Sequence, residues 1–385
     1  MNYQNKILII GDDHNNTLGL VRSFGKNGIA PYGIIVGGMG SRGFACRSKY
    51  WEKVWYALDE EEALKIMWRE FKDEKVKPVV FPCSDKCAMM LDIHLDALKE
   101  NFMLPSIAGK QGEIAKLMNK VNQTVFAQQC GIGAAKSWDV DLTDEVTLPG
   151  ALEFPCILKP KLSAEGRKAD IEIAETPAET LQFLSVYKQK GYQNILIQKY
   201  INYEKEILVA GACGISDQWM IVMRKLRSWP IKKGSTSFGV REQDKMTVTG
   251  AEKIVNALMK TGYTGLFDIE FFTAKDAIYL NEINFRNSGA SALACASGIH
   301  YAVYWYYQMI GSKKMPLIQE NSKEWYYMNE LLDFEYVRKK QLSYSEWKKN
   351  KKKAAAFAFY DKEDLLPCII QPINRIQMKL RKNGA

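Results

Sequence analysis

Histidine is scarce in this chain, and the three that occur, His14, His94 and His300, form no suggestive pattern with a serine or cysteine. A hydrolytic triad or a thiol enzyme is therefore a poor reading. Eight cysteines, at 46, 83, 87, 130, 156, 213, 295 and 368, show no paired framework. Cys83 and Cys87 lack a second pair, which argues against zinc or redox chemistry. The start of the chain has no basic stretch leading into an apolar signal core, and the apolar run over 7–10 stops at Gly11. No window reaches the roughly 18 consecutive apolar residues of a membrane span. These absences predict a cytoplasmic protein, associated with a membrane at most at its inner face.

Marks of a nucleic-acid binder are missing too: there is no zinc finger, RNA-recognition signature or basic zipper, so no nucleic-acid partner is expected. The formal charge of +9 is concentrated late, in Arg338 to Lys340, in Lys348, Lys349 and Lys351 to Lys353, and in Arg375, Lys379, Arg381 and Lys382. That excess is either a solvated face or a surface for anionic lipid or another polyanion. Among these cations lie Trp347, Phe357, Phe359, Ile369, Ile370, Ile373, Ile376 and Leu380. They either close a core or, with the stretch after Pro372 helical, form an amphipathic segment able to rest on an anionic membrane.

What is present is enough for a large fold. A chain of 385 residues, 47% hydrophobic, can build two or three globular units around at least one sizeable core. Residues 6–10 read as a buried strand ending at Gly11-Asp12-Asp13, and a helical pattern follows through Leu18, Val21, Arg22 and Phe24. Strand signals recur at 34–36 and 79–81 with a helix over 60–72 between them, predicting a small open α/β domain over about 1–110. Gly11 has no G-x-G-x-x-G continuation, so the sheet is expected to be structural and not a dinucleotide site. A helix over 110–130 leads into short strands at 154–159, 171–174, 195–200 and 207–211. The aromatic run Tyr301, Tyr304, Trp305, Tyr306, Tyr307 reads as core packing.

The strongest local pattern is G-L-F-D-I-E-F-F at 265–272 followed by I-Y-L-N-E-I-N-F-R at 278–286. With a turn over 273–277, Phe272 faces Ile278, and alternation places Glu270, Glu282 and Asn284 on one face, Ile269, Phe271, Ile283 and Phe285 on the other. Two carboxylates and an amide oxygen are hard donors of the kind that magnesium shares with nucleotide phosphates. The alternative is the solvated face of an ordinary amphipathic hairpin. Against it, this face has no lysine in a lysine-rich chain, Lys275 being confined to the turn.

Weaker signals surround that hairpin. Lys159 interrupts the apolar strand over 154–160 and either meets an anion or snorkels. The stretch from Lys161 to Lys168 carries serine, glycine and basic residues able to close over phosphates. Gln198, Lys199, Tyr200 and Ile201 link a strand to Glu204 and Glu206; this is either an ordinary strand and turn or a link where backbone groups read an adenine edge and a carboxylate accepts ribose hydroxyls. The hydroxyl-rich segment 234–241 is either a surface turn or a substrate contact in which Arg241 binds a carboxylate bidentately.

In this order, Lys120, Lys159, the 198–201 link with Glu206, Glu270 and the Glu282-Ile283-Asn284-Phe285-Arg286 run resemble the ATP-grasp superfamily. Gly11-Asp12-Asp13 with Cys83-Ser84-Asp85 is similar to the D-aspartate ligase-like carboxylate–amine ligases. The resemblance implies an α/β (α+β grasp) architecture with a Rossmann-like pre-ATP-grasp domain over 1–110. A two-lobed ATP-grasp domain over 111–312 with a lid at about 135–195 would follow, and 313–385 would complete the core and end in a basic tail. It also implies ATP with Mg2+, Mn2+ being an alternative. Lys120 and Lys159 would hold phosphates, Gln198 to Ile201 adenine, Glu206 ribose, and Glu270, Glu282 and Asn284 the metal. Arg286, Lys159 and Arg241 form the expected catalytic set, Arg286 steadying the transferred phosphoryl group. Relatives often have glutamate where Gln198 stands, and more glycine after Lys159.

The implied reaction joins a small-molecule carboxylate to an amine through an acyl phosphate, the product being an amide or peptide bond on, for instance, a cell-wall or surface-polysaccharide precursor. A homodimer and a peripheral membrane contact are the expected assemblies. The alternatives are another ATP-grasp reaction, carboxylation or phosphoryl transfer, and an ATP-sensing protein without turnover.

Overall fold

The computed structural model describes residues 5–161, 170–231, 234–275, 277–314, 316 and 324–383, with side chains to Gln377. The expected phosphate-closing stretch after Lys161 lies outside the described residues from 162 to 168.

Apolar runs at the start of the chain become strands, buried on both faces except at the edge strand Lys53–Ala57. Ile7–Asp12, Tyr32–Val36, Lys53–Ala57 and Val79–Pro82 form a parallel sheet, in which Ile7 to Ile10 are at most 2% exposed. Such burial is what continuous apolar runs specify in a parallel sheet covered by helices. Gly11 is required by close approach: a Cβ there would stand 2.4 Å from Cys83 Cβ. His14 has a structural task, its Nδ1 accepting from Asn16 N (3.3 Å) to cap the helix Asn15–Lys26. His300 does meet a serine, Nδ1 lying 3.3 Å from Ser23 Oγ. Cys83 and Cys87 are buried in different cores, and all eight cysteines are unpaired.

A small antiparallel sheet follows, in the order Ser137–Asp141, Asn194–Lys199, Cys156–Pro160, Glu172–Ala174. Helix Pro177–Gln189, capped by Thr176 with Pro177 in its first turn, packs Leu184 and Tyr187 against Leu158, Ile195 and Ile197.

The large sheet runs Ala354–Phe357, Tyr326–Met328, Ser235–Arg241, Gln218–Trp229, Lys205–Cys213, Tyr263–Ala274, Ala277–Asn284, Gly133–Ala134, with Ser106–Ile107 joined to Tyr263–Ala274. One of its faces carries Val209, Val222, Ile269 and Ile283 against Ile254 and Leu258 of helix Lys245–Lys260 and Ala127 of helix Lys120–Gln129. The opposite face sends Leu208, Ala210 and Met223 into the aromatic cluster of helix Tyr301–Met309, which also meets Phe24 and Phe81 of the first domain. The aromatic run is thus core, Tyr304, Trp305 and Tyr306 being fully buried.

The end of the chain returns to the beginning. Ala356, Ala358 and Phe359 join that shared core, and Arg22 holds Asp364 at 2.9 Å in a buried ion pair. Trp347 packs with Phe238 and Met328. Among the described residues no helix is long and apolar enough to cross a membrane.

The hairpin departs from the expected register. Phe272 pairs with Tyr279, not Ile278, because Ala274 pairs with Ala277 across a two-residue turn in which Lys275 has φ 54. Left alone, that register would put Glu270 opposite Asn281 and send Glu282 to the other face. An irregularity between Glu270 and Phe271 in the ladder, where Asn281 is the extra residue, brings Glu270 opposite Glu282 and Asp268 opposite Asn284.

Candidate active site

The side chains on this face form an alternation of buried acids and bases. Lys225 is directly opposite Glu206 in the sheet and lies 2.7 Å from Glu206 Oε1 and 2.9 Å from Glu270 Oε2, with its side chain 3% exposed. Burial opposes its charge, but Glu206 and Glu270 outweigh that and raise its pKa above the usual lysine value. Lys120 opens helix Lys120–Gln129 and places Nζ 3.2 Å from Glu282 Oε1. A reciprocal bridge fixes that helix: Gln123 Nε2 donates to Ile283 O, and Ile283 N donates to Gln123 Oε1, both at 2.8 Å.

Lys159, 6% exposed, reaches in from the small sheet and donates to Asn281 Oδ1 at 3.2 Å. Burial, aided by the neighbouring Lys120, pushes its pKa down to about 8 against the pull of Glu282 and Glu270. Arg286 donates from Nη1 to Asp268 Oδ2 (2.6 Å) and from Nε to Asp85 Oδ1 (3.1 Å). Burial disfavours its charge, yet Asp85 and Asp268 hold its pKa above the ordinary arginine value. Asp268 is pushed up by burial against Arg286, and its Oδ1 is buried with no hydrogen-bond partner among the described residues. Asn284, 3% exposed, donates to Asp268 O at 3.3 Å.

The structure thus brings Lys120, Lys159, Glu206, Glu270, Glu282, Asn284 and Arg286 into one continuous set of contacts and neighbours. Lys225, Asp268 and Asp85 belong to it and were not singled out as site residues from the sequence. Asp268 could have been: it is two residues before Glu270 on the same face. Lys225 could not, because its partners are visible only once the register is known.

Other expected residues are placed differently. Gln198 donates from Nε2 to Ser137 Oγ at 2.8 Å, within its own sheet. Lys199 turns outward to an ion pair with Glu153. The N–H groups of Lys199 and Tyr200 bond the carbonyls of Lys136 and Pro155 at 2.9 and 3.0 Å, so those two donors are already used. Tyr203, just beyond the link, stacks on Phe272 with ring centroids 4.5 Å apart.

Arg241 is in the same row as the acids. Cross-strand registers run Arg241, Met223, Leu208, Glu270, Glu282, and directly opposed residues share a face. Three strand spacings, roughly 14 Å, separate Arg241 from Glu270.

The donor set suits a magnesium nucleotide: two opposed carboxylates, an amide, and a buried lysine with depressed pKa that donates to the neutral amide of Asn281. Among the described residues no group of three His, Cys, Asp or Glu is arranged to hold a metal alone. Oxygens from a phosphate would have to complete such a shell.

A cavity of about 630 Å³ lies at the carboxyl ends of Ile7–Asp12, Tyr32–Val36 and Lys53–Ala57; Asp12, Asp13, Glu60, Lys86 and Asn374 are among its lining. Lys86 follows the Asp85 that holds Arg286.

Residues 125–298 match the family model described as ATP-grasp domain. The chain is similar to the D-aspartate ligase of Enterococcus faecium, 25% identical over 262 residues, which is 63% of this chain and 61% of that protein. It is also similar to the formate-dependent phosphoribosylglycinamide formyltransferase of Trichormus variabilis, 22% identical over 169 residues, 41% of each. The chain therefore spans about half the length of the curated relatives it matches. Among solved structures it is similar to the N5-carboxyaminoimidazole synthetase of Staphylococcus aureus complexed with ADP, with a TM-score of 0.64, 16% identity and 88% of each chain covered.

Proposed function

From the premise that residues 125–298 are an ATP-grasp domain, we propose that this chain is an ADP-forming carboxylate–amine ligase that makes an amide or peptide bond through an acyl phosphate. The observation that carries the reading is Glu270 facing Glu282 with a buried lysine on each. A protein that only sensed nucleotide would not need so many buried charges balanced around two opposed acids.

Glu270, Glu282 and Asn284 would hold magnesium, which when bound offsets phosphate charge as a Lewis acid. In its absence Lys225 and Lys120 neutralise the carboxylates. Lys159 lies beside Glu282 and Asn281 and would carry its proton at Nζ toward a phosphate oxygen, an anion that restores the charge burial disfavours. Arg286 is oriented by Asp85 and Asp268 through Nε and Nη1, which leaves Nη2 to steady the phosphoryl group as it passes to the substrate carboxylate. Arg241 would bind a carboxylate of the substrate, in the same row of the sheet but some strands away. The acyl phosphate then reacts with the amine, and phosphate leaves. Water must be kept from that intermediate, and the small sheet, from which Lys159 reaches Asn281, would act as the cover.

For substrates, the likeness to a D-aspartate ligase supports an amino acid as the carboxylate, and we propose a cell-wall or surface-polysaccharide precursor as the amine. ADP release measured with Mg-ATP over a matrix of amino acids and amines tests the reading. ADP that appears only when carboxylate and amine are both present supports it. ADP release driven by bicarbonate or formate instead would assign the chain to the carboxylating or formylating kind of ATP-grasp enzyme.

A further inference from the structure

The helix Leu366–Asn383 has two unlike faces. One packs inward: Asn374 is 5% exposed, donates to Arg42 O at 3.0 Å, and lines the cavity with Gln371 and Arg375. The other leaves Leu366, Ile369, Ile373 and Ile376 between 46% and 60% exposed, with Leu365 at 48% just before them. Their spacing of three, four and three residues keeps them on one stripe. Single exposed aliphatics are ordinary, but five together on one terminal segment need an occupant.

Charge says which occupant. Between Leu366 and Asn383 the chain has no acid; Arg375 is paired inward with Glu335, and Lys379, Arg381 and Lys382 follow it in the sequence. A second copy of this helix would bring the same net positive charge against itself. A surface of anionic lipid offers hydrocarbon to the stripe and negative headgroups to the cations.

We propose that this helix lies in the interface of an anionic membrane, holding the protein peripherally with the cavity wall on its inner side. The stripe meets the acyl boundary, and the positive charge of 379–382 supplies the attraction to the headgroups. Trp347 and Phe359, apolar residues of the same basic region, are in the core and take no part. The proposal is independent of the ligase reading, because none of the stripe residues touches the candidate active site.

The test uses the full chain and co-sedimentation with two vesicles, one of pure phosphatidylcholine and one containing phosphatidylserine. Binding to the second and not the first is expected, weakening as salt rises. The triple variant Ile369→Ser, Ile373→Ser, Ile376→Ser should fold, since these side chains are exposed, and should lose about tenfold or more in vesicle affinity. Its circular dichroism and its ADP release in solution should match the parent. No binding to the anionic vesicles at low salt overturns the proposal, as does binding that the triple variant leaves unchanged. So does a dimer in light scattering that the triple variant turns into monomer, which would make a second copy the occupant.

Discussion

Glu270 and Glu282 stand directly opposite each other on neighbouring strands, and each is neutralised by a lysine from a different element, Lys225 from the Gln218–Trp229 strand and Lys120 from the start of a helix. Two like charges at a cross-strand position are unfavourable unless cations offset them. A site of this kind is poised to exchange lysine contacts for a divalent cation and phosphate. Replacing Glu282→Gln keeps the shape and removes the charge, and should lower kcat by about a hundredfold or more. The far-ultraviolet circular dichroism should not change. A folded variant with parental kinetics would remove Glu282 from the metal site.

Lys225 serves stability first. Lys225→Met strands Glu206 and Glu270 in a buried setting and should lower the unfolding free energy by about 3 kcal/mol. Because its folded pKa is raised, the contribution is whole below the ordinary lysine value of 10.5 and fades only as pH rises through the folded value. Denaturant titrations of parent and variant should therefore differ by the same amount at any pH from neutral to slightly alkaline. Added magnesium should raise the midpoint of the variant more than that of the parent, since the metal takes over the missing charge.

Lys159 sets a pH limit on nucleotide binding. In the ligand-free protein it loses its proton as pH passes about 8, and phosphate binds the protonated form. Apparent ATP affinity should be flat below that value and fall by up to about tenfold per pH unit above it. Lys159→Arg stays charged and should remove the alkaline limb. A limb that persists in the arginine variant would belong to another group.

Asp85 acts through Arg286. It opens the helix Asp85–Ile93 and holds Nε at 3.1 Å. Asp85→Asn should reduce kcat by about tenfold while moving the KM for ATP less than about twofold, because the guanidinium loses orientation and not its charge. Equal changes in both constants would place Asp85 against the nucleotide.

Arg241 should separate the substrates. Arg241→Lys keeps the charge but loses the planar fork, so the KM for the carboxylate substrate should rise by about tenfold and the ATP constant should stay put. If only the ATP constant moves, the residue belongs with the phosphates.

The sequence made some of this legible and physics explains what it hid. Alternation in D-I-E-F puts Asp268 and Glu270 on one face of their strand, and in N-E-I-N it puts Glu282 and Asn284 on one face of theirs, so the acids could be read strand by strand. The turn could not: its length was misjudged, and only the extra residue at Asn281 restores the pairing of Glu270 with Glu282. Lys225 was hidden because an isolated strand with Met223, Lys225 and Arg227 looks like any strand with a basic edge. Its meaning is a long-range fact, since Glu270 is reached across an intervening strand. Gln198 to Ile201 were read as nucleotide contacts from their position at a strand end, and what the sequence could not show is that the N–H groups of Lys199 and Tyr200 bond carbonyls of the protein itself. In the basic end of the chain, Trp347, Phe359 and Ile373 are equally apolar letters. Packing alone sorts the first two inward and the third outward.

The acyl phosphate is tested most directly by following oxygen. A pool of amino acids with heavy oxygen in their carboxylates is incubated with Mg-ATP, a mixture of amines and the full chain, and the released phosphate is weighed by mass spectrometry. Attack of a carboxylate on the γ-phosphorus carries one of its oxygens into the phosphate, so phosphate heavier by one labelled oxygen should appear together with ADP, and only when amines are present. ADP accompanied by unlabelled phosphate, the product of simple hydrolysis, would contradict the ligase.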